Sequence, residues 1–146
     1  MHRIALVFVL ILLGLSGRAA AAGTGDDAVA CVAEAVYYEA RGRGNEARAA
    51  VAHVILNRAD HAEFPDTVCA VVDDGCQFSY RCDGRPERLA ERDERAAAYR
   101  VAERVLDGAV PDPTGGALFF HAEGARPGWF ASRPRVGEIG GNVFYR

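Results

Sequence analysis

DDAVACVAEAVYYEA (residues 26–40), RGRG (residues 41–44) and NEARAAVAHVILNR (residues 45–58) are the consecutive pieces of sequence that decide the fold. The first piece predicts a helix capped by Asp26 or Asp27. Its apolar stripe is Val29, Val32 and Val36, and at 100° per residue Glu39 falls close to Val32 on the same stripe. Glu34 points about 140° away from Glu39 and is expected to be solvated. Gly42 and Gly44 end the helical pattern. Asn45 is expected to cap a second helix, with Ala47, Ala50, Val51, Val54, Ile55 and Arg58 on one face.

Beyond residue 58 the pattern continues as a turn at Phe64-Pro65-Asp66 and a short helix or buried run from Thr67 to Val72. Asp73 to Gly84 is a cysteine-bounded loop carrying Gln77-Phe78-Ser79-Tyr80. Pro86 suits the first turn of a third long helix reaching about residue 106. Ala117–His121 and Val143–Tyr145 read as short strands. The expectation is a single, mostly helical α+β domain over residues 23–146 with few short strands.

At the other end, His2 and Arg3 precede an apolar run from Ile4 to Leu15 and a small-residue site containing Ala20 and Ala22. That order predicts a secretory signal peptide over residues 1–22, because the apolar run is too short to span a bilayer. The mature chain is then expected in the periplasm or cell envelope, without stable membrane insertion. Its loss of Arg3 and Arg18 leaves it more acidic than the full chain's net charge of −3, which disfavours a nucleic-acid partner. Export makes disulfides the default state of Cys31, Cys69, Cys76 and Cys82. Three pairings are open, and Cys31–Cys69 with Cys76–Cys82 is preferred. A four-cysteine zinc site is disfavoured because no paired C-x-x-C knuckles occur.

Glu39 is the residue most suited to chemistry. A carboxyl on an apolar stripe is desolvated, and desolvation favours the protonated form that a general acid needs. The competing reading is a structural glutamate paired with Arg41 or another arginine. His121, Trp129 and Tyr38 offer flat faces that pack on pyranose rings, although core roles explain His121 and Trp129 as simply. His53, His61 and His121 lack the spacing of a metal site, so neither metal nor cofactor is expected.

Ala35-Val36-Tyr37-Tyr38-Glu39-Ala40-Arg41-Gly42 and Val51-Ala52-His53-Val54-Ile55-Leu56-Asn57-Arg58 resemble the SleB-like spore cortex-lytic cell wall hydrolase family. The resemblance continues through Phe64-Pro65-Asp66-Thr67-Val68, Gln77-Phe78-Ser79, Asp112-Pro113-Thr114-Gly115-Gly116-Ala117, Ile139-Gly140 and Phe144. It implies a lysozyme-like, lytic transglycosylase-like domain. The implied reaction cuts peptidoglycan glycan strands between N-acetylmuramic acid and N-acetylglucosamine, with Glu39 as acid and base. It also implies that Gln77, Phe78 and Ser79 meet the substrate; a loop hydroxyl satisfying its own backbone is the bland alternative for Ser79. Family members usually carry Glu where this chain has Arg43, which puts any second acid at that position in doubt. Asp73, Asp74 and Asp83 stay open as water-activating bases for a hydrolase. An N-acetylmuramoyl-L-alanine amidase and a non-catalytic wall-binding domain are the alternative functions.

Overall fold

The computed structural model describes residues 25–125 and 128–146, so the signal peptide expected over 1–22 lies outside the described residues. Four helices are present: α1 (Gly25–Ala40), α2 (Gly44–Ala59), α3 (Val68–Asp73) and α4 (Arg92–Leu106). A three-stranded antiparallel sheet follows, made of β1 (Phe119–Ala122), β2 (Arg135–Ile139) and β3 (Asn142–Tyr145) in the order β1-β3-β2. Among the described residues, no helix is long and apolar enough to cross a membrane.

Helix α1 is more enclosed than a single apolar stripe implies. Val32, Ala33, Ala35, Val36, Tyr37 and Ala40 are all buried, because α2, α3 and α4 pack around it. The expectation that Glu34 is solvated is therefore corrected. Its carboxylate is only a quarter exposed and accepts from Arg81 Nη1 at 3.0 Å. Helix α2 is also buried on more than one side: Val51, Ala52 and Ile55 join the main core, whereas Ala50 and Val54 meet Ala117 and Phe144 beneath the sheet.

Two helix starts differ from the expected ones. Arg43, not Asn45, occupies the cap of α2; the Asn45 amide oxygen instead accepts from Arg48 Nη1 at 3.0 Å within the first turn. Helix α4 begins at Arg92 rather than at Pro86. The intervening chain lies along α1, where the Tyr38 hydroxyl accepts from Arg88 N (2.7 Å) and the Tyr37 hydroxyl from Glu91 N (3.2 Å). Those bonds satisfy backbone donors without a helix. Thr67 does cap α3, its hydroxyl accepting from Ala70 N at 3.2 Å.

Strand β2 went unforeseen. It joins β3 through Gly140-Gly141, both at positive φ (+56° and +75°), as a tight hairpin with primed turn geometry demands. A Cβ at Gly140 would stand 2.3 Å from Ala47 Cβ, so the missing side chain seats the hairpin directly on α2. The Asp112-Pro113-Thr114-Gly115-Gly116 turn fixes the other side of the sheet. The Asp112 carboxylate accepts from Thr114 N and Oγ1 (both 2.7 Å), Gly116 N (2.8 Å) and Asn57 Nδ2 (3.0 Å). Burial opposes its charge, yet these bonds together hold its pKa below the usual carboxylate value. Disulfide Cys31–Cys69 ties α1 to α3 and Cys76–Cys82 closes the loop between α3 and α4, the pairing preferred from sequence.

Candidate active site

Glu39 occupies the last turn of α1 and opens into a cleft of about 310 Å³. Tyr38, Gln77, Ser79 and His121, all predicted from sequence, line the same cleft, together with Arg43, Arg58, Asn142 and the β1 residues Phe119, Phe120 and Ala122. The cleft thus lies between the end of α1, the disulfide-bounded loop and the edge of the sheet. Burial pushes the Glu39 carboxyl above its ordinary pKa, and Arg43 and then Arg58 pull it partly back. The rival pairing with Arg41 is not formed, since Arg41 Nη1 bonds Glu91 at 2.9 Å on the other side of the helix end.

Arg58 is the residue that sequence reading undervalued. It is 4% exposed, and its Nε donates to Leu118 O at 2.7 Å. Its guanidinium lies over the rings of Phe64 (5.3 Å), Phe78 (5.6 Å) and Phe119 (5.9 Å). Burial lowers its pKa to about 10, with Asp74 and Glu39 acting in the opposite direction, so it stays charged at neutral pH. The available signal was an arginine closing the apolar face of α2.

Phe78 does not reach the cleft. Extended backbone at this residue (φ −106°, ψ 110°) sends Gln77 and Ser79 to one side and Phe78 to the other, where it is 1% exposed in the core. Tyr38 lines the cleft with its ring stacked on Tyr80 at 4.3 Å. His121 has both nitrogens engaged: Nδ1 donates to Ala122 O (2.7 Å), and Nε2 shares a hydrogen bond with the Tyr145 hydroxyl (3.0 Å). It forms a wall rather than an open base. The Trp129 side chain lies outside what the structure describes.

None of the aspartates offered as second acids is among the residues lining the cleft, although Asp74 acts on Arg58, which does line it. Asp73 is paired with Arg81, and Asp83 Oδ1 accepts from Arg85 N at 2.8 Å in an Asx turn. Among the described residues, Glu39 is the only carboxylate lining this cleft. A larger open groove of about 620 Å³ lies on the sheet face turned away from α2, floored by Val143 and Tyr145 and joined to the cleft through His121. His53 is buried with Nε2 at 3.0 Å from Val110 O, and His61 Nδ1 accepts from Glu63 N.

A family model described as Cell Wall Hydrolase matches residues 42–145, well over half of the chain. The chain belongs to the cell wall hydrolase family. The spore cortex-lytic enzyme of Halalkalibacterium halodurans is 37% identical over 124 residues, covering 84% of this chain and 36% of that protein. The same enzyme of Oceanobacillus iheyensis is 39% identical, covering 84% and 42%. This cell wall hydrolase therefore spans less than half the length of those relatives. The family match begins just past Glu39, but a stretch of 124 residues cannot avoid position 39 in a chain of 146. Among solved structures, the catalytic domain of the germination-specific lytic transglycosylase SleB from Bacillus anthracis superposes with a TM-score of 0.72 at 32% identity, covering 86% of this chain and 100% of that domain. The catalytic domain of Bacillus cereus SleB gives 0.67 at 31% identity, covering 85% and 93%. The lysozyme-like α+β architecture expected from the resemblance is the architecture of this cell wall hydrolase.

Proposed function

We propose that this domain is a lytic transglycosylase that cuts peptidoglycan glycan strands between N-acetylmuramic acid and N-acetylglucosamine, with Glu39 as its single acid and base. The observation that carries the reading is a half-buried carboxyl, the only one among the described residues that lines its cleft, held toward its neutral form by burial. In the proton balance, Glu39 protonates the glycosidic oxygen as the muramyl C1–O bond breaks. The resulting carboxylate then takes the proton of the C6 hydroxyl while O6 bonds to C1, which closes a 1,6-anhydro ring and consumes no water. Gln77, Ser79 and Tyr38 are proposed to meet the sugar, and His121 to shape the cleft wall. Export by a leader over residues 1–22 fits a wall substrate and places the enzyme in the cell envelope.

A one-carboxyl mechanism makes a specific prediction about the aspartates. Asp73→Asn and Asp83→Asn should each keep at least about half of wild-type activity on purified peptidoglycan, since neither residue lines the cleft and Asp73, more than half exposed, shares Arg81 with Glu34 and Glu87, which remain to hold it. Dye release from labelled sacculi measures this. Loss of activity in either variant would instead point to a hydrolase with two carboxylates. Activity abolished by a chelator would favour the amidase reading.

A further inference from the structure

We infer that Arg43 is a positioning residue for the proton transfer at Glu39, pinned across the cleft wall by the β2–β3 hairpin so that its charge steadies the carboxylate left when the proton departs. The inference deepens the proposed function and rests on it for the identity of the acid.

Arg43 follows Glu39 by four residues, just past the end of α1, where its backbone N bonds Ala40 O at 3.1 Å. Its Nη1 crosses to the hairpin and donates to Gly140 O (2.9 Å) and Asn142 Oδ1 (3.3 Å). A Cβ at Gly141 would stand 2.9 Å from that same Nη1, so the guanidinium occupies room that any other residue at 141 would fill. Glu39, Arg43 and Asn142 then line one cleft. An exposed arginine ordinarily spreads its charge over many rotamers and into solvent, which is why surface pairs contribute little. This one is fixed by the fold.

The identity of the acceptors matters as much as the geometry. Gly140 O and Asn142 Oδ1 are both neutral, so these bonds hold the guanidinium without cancelling its charge. Arg58, the other cation felt by Glu39, is shared with Asp74. Charges acting on Glu39 are therefore Arg43 from the α1–α2 turn and Arg58 from α2, with Asp74 also acting on Arg58. Tyr38 from α1, Tyr80 from the disulfide loop and His121 from β1 complete the surroundings. Burial holds the Glu39 proton in place, and Arg43 is the larger of the two influences that release it. A general acid needs both, because a proton held too firmly is not transferred.

The test compares wild type, Arg43→Gln and Arg43→Lys by a ¹³C NMR titration of the Glu39 carboxyl and by the pH profile of kcat/KM. Removing a nearby positive charge raises a carboxyl pKa, so Arg43→Gln should move the Glu39 midpoint up by about 0.5 in pH or more. Activity requires the protonated acid and falls as pH rises through that midpoint, so the alkaline limb should move up with it. On the acidic plateau kcat should fall by up to about three-fold for each 0.5 by which the midpoint rises, the weaker acid being the poorer donor, with KM changed by less than about two-fold. Arg43→Lys keeps the charge and should keep the wild-type midpoint. A midpoint unmoved by Arg43→Gln would overturn the inference, and so would a raised KM with a stationary limb, which would make Arg43 a substrate contact. Equal behaviour of the Lys and Gln variants would reduce it to a mechanical latch and also overturn it. The NMR midpoint needs no turnover, so its movement in a protein inactive on peptidoglycan would sink the functional reading while leaving the Arg43–Glu39 coupling in place.

Discussion

Glu39→Gln is expected to lower the rate of peptidoglycan cleavage by at least about a hundred-fold and up to about ten-thousand-fold, the range that general acid catalysis supplies. The amide keeps the shape of the carboxyl and carries no formal charge, as the protonated acid does. It cannot give a proton to the leaving oxygen or take one from the C6 hydroxyl, so both halves of the proposed reaction fail together. The fold should survive, since Glu39 forms no ion pair among the described residues that its loss would break. Circular dichroism and the melting midpoint check that. Glu34 makes a poor control because its carboxylate holds Arg81, which also binds Asp73 and Glu87. Glu103→Gln on the exposed side of α4 is the better one and should leave activity unchanged. A Glu39→Gln enzyme with a third of wild-type activity would remove Glu39 from the chemistry.

The largest stability effect is expected from the disulfide between Cys31 and Cys69, which are 38 residues apart in the chain. On the chain-entropy model a loop of that length contributes about 4 kcal/mol, against about 2 kcal/mol for the six-residue separation of Cys76 and Cys82. Domains of this size have net stabilities of only about 5–15 kcal/mol, so the double variant Cys31→Ala, Cys69→Ala gives up a large share. It removes the covalent tie between the buried helix α1 and the short α3, whose own six residues cannot hold it in place. Urea titration should show a lower midpoint and a somewhat steeper slope, because the uncrosslinked unfolded chain exposes more surface, and a melting temperature lower by on the order of 10 °C. The matching Cys76→Ala, Cys82→Ala variant should lose about half as much free energy. Equal losses in the two variants would show that loop length does not set the effect here.

The helices of the site were legible because their signal is local. Residues 26–40 and 45–58 carry the helical period, and the RGRG break between them is where α1 ends and α2 starts. The position of Glu39 beside Val32 on the helical wheel was enough to expect a desolvated carboxyl. What stayed hidden depends on contacts between distant segments. Strand β2 has a bulge between Arg135 and Gly137 and mostly exposed residues, so it shows no clean alternation, although Gly140-Gly141 is a hairpin signal in its own right. Pro86 looked like a helix start because nothing in the sequence reveals that Tyr37 and Tyr38 would accept from the backbone of residues 88 and 91. Phe78 was grouped with its neighbours by motif, whereas extended backbone put it on the opposite side. Arg43 and Arg58 read as a turn residue and a helix end. Only the assembled cleft brings both within electrostatic reach of Glu39.

Mass spectrometry of the fragments released from purified peptidoglycan by the wild-type protein is the most direct test of the one-carboxyl mechanism. Muramyl ends should be 1,6-anhydro, lower in mass by one water than hydrolytic ends and resistant to borohydride reduction, and Glu39→Gln should release none of them. Reducible muramic acid ends as the main product would contradict the mechanism, because they require a base that activates water across the cleft from Glu39.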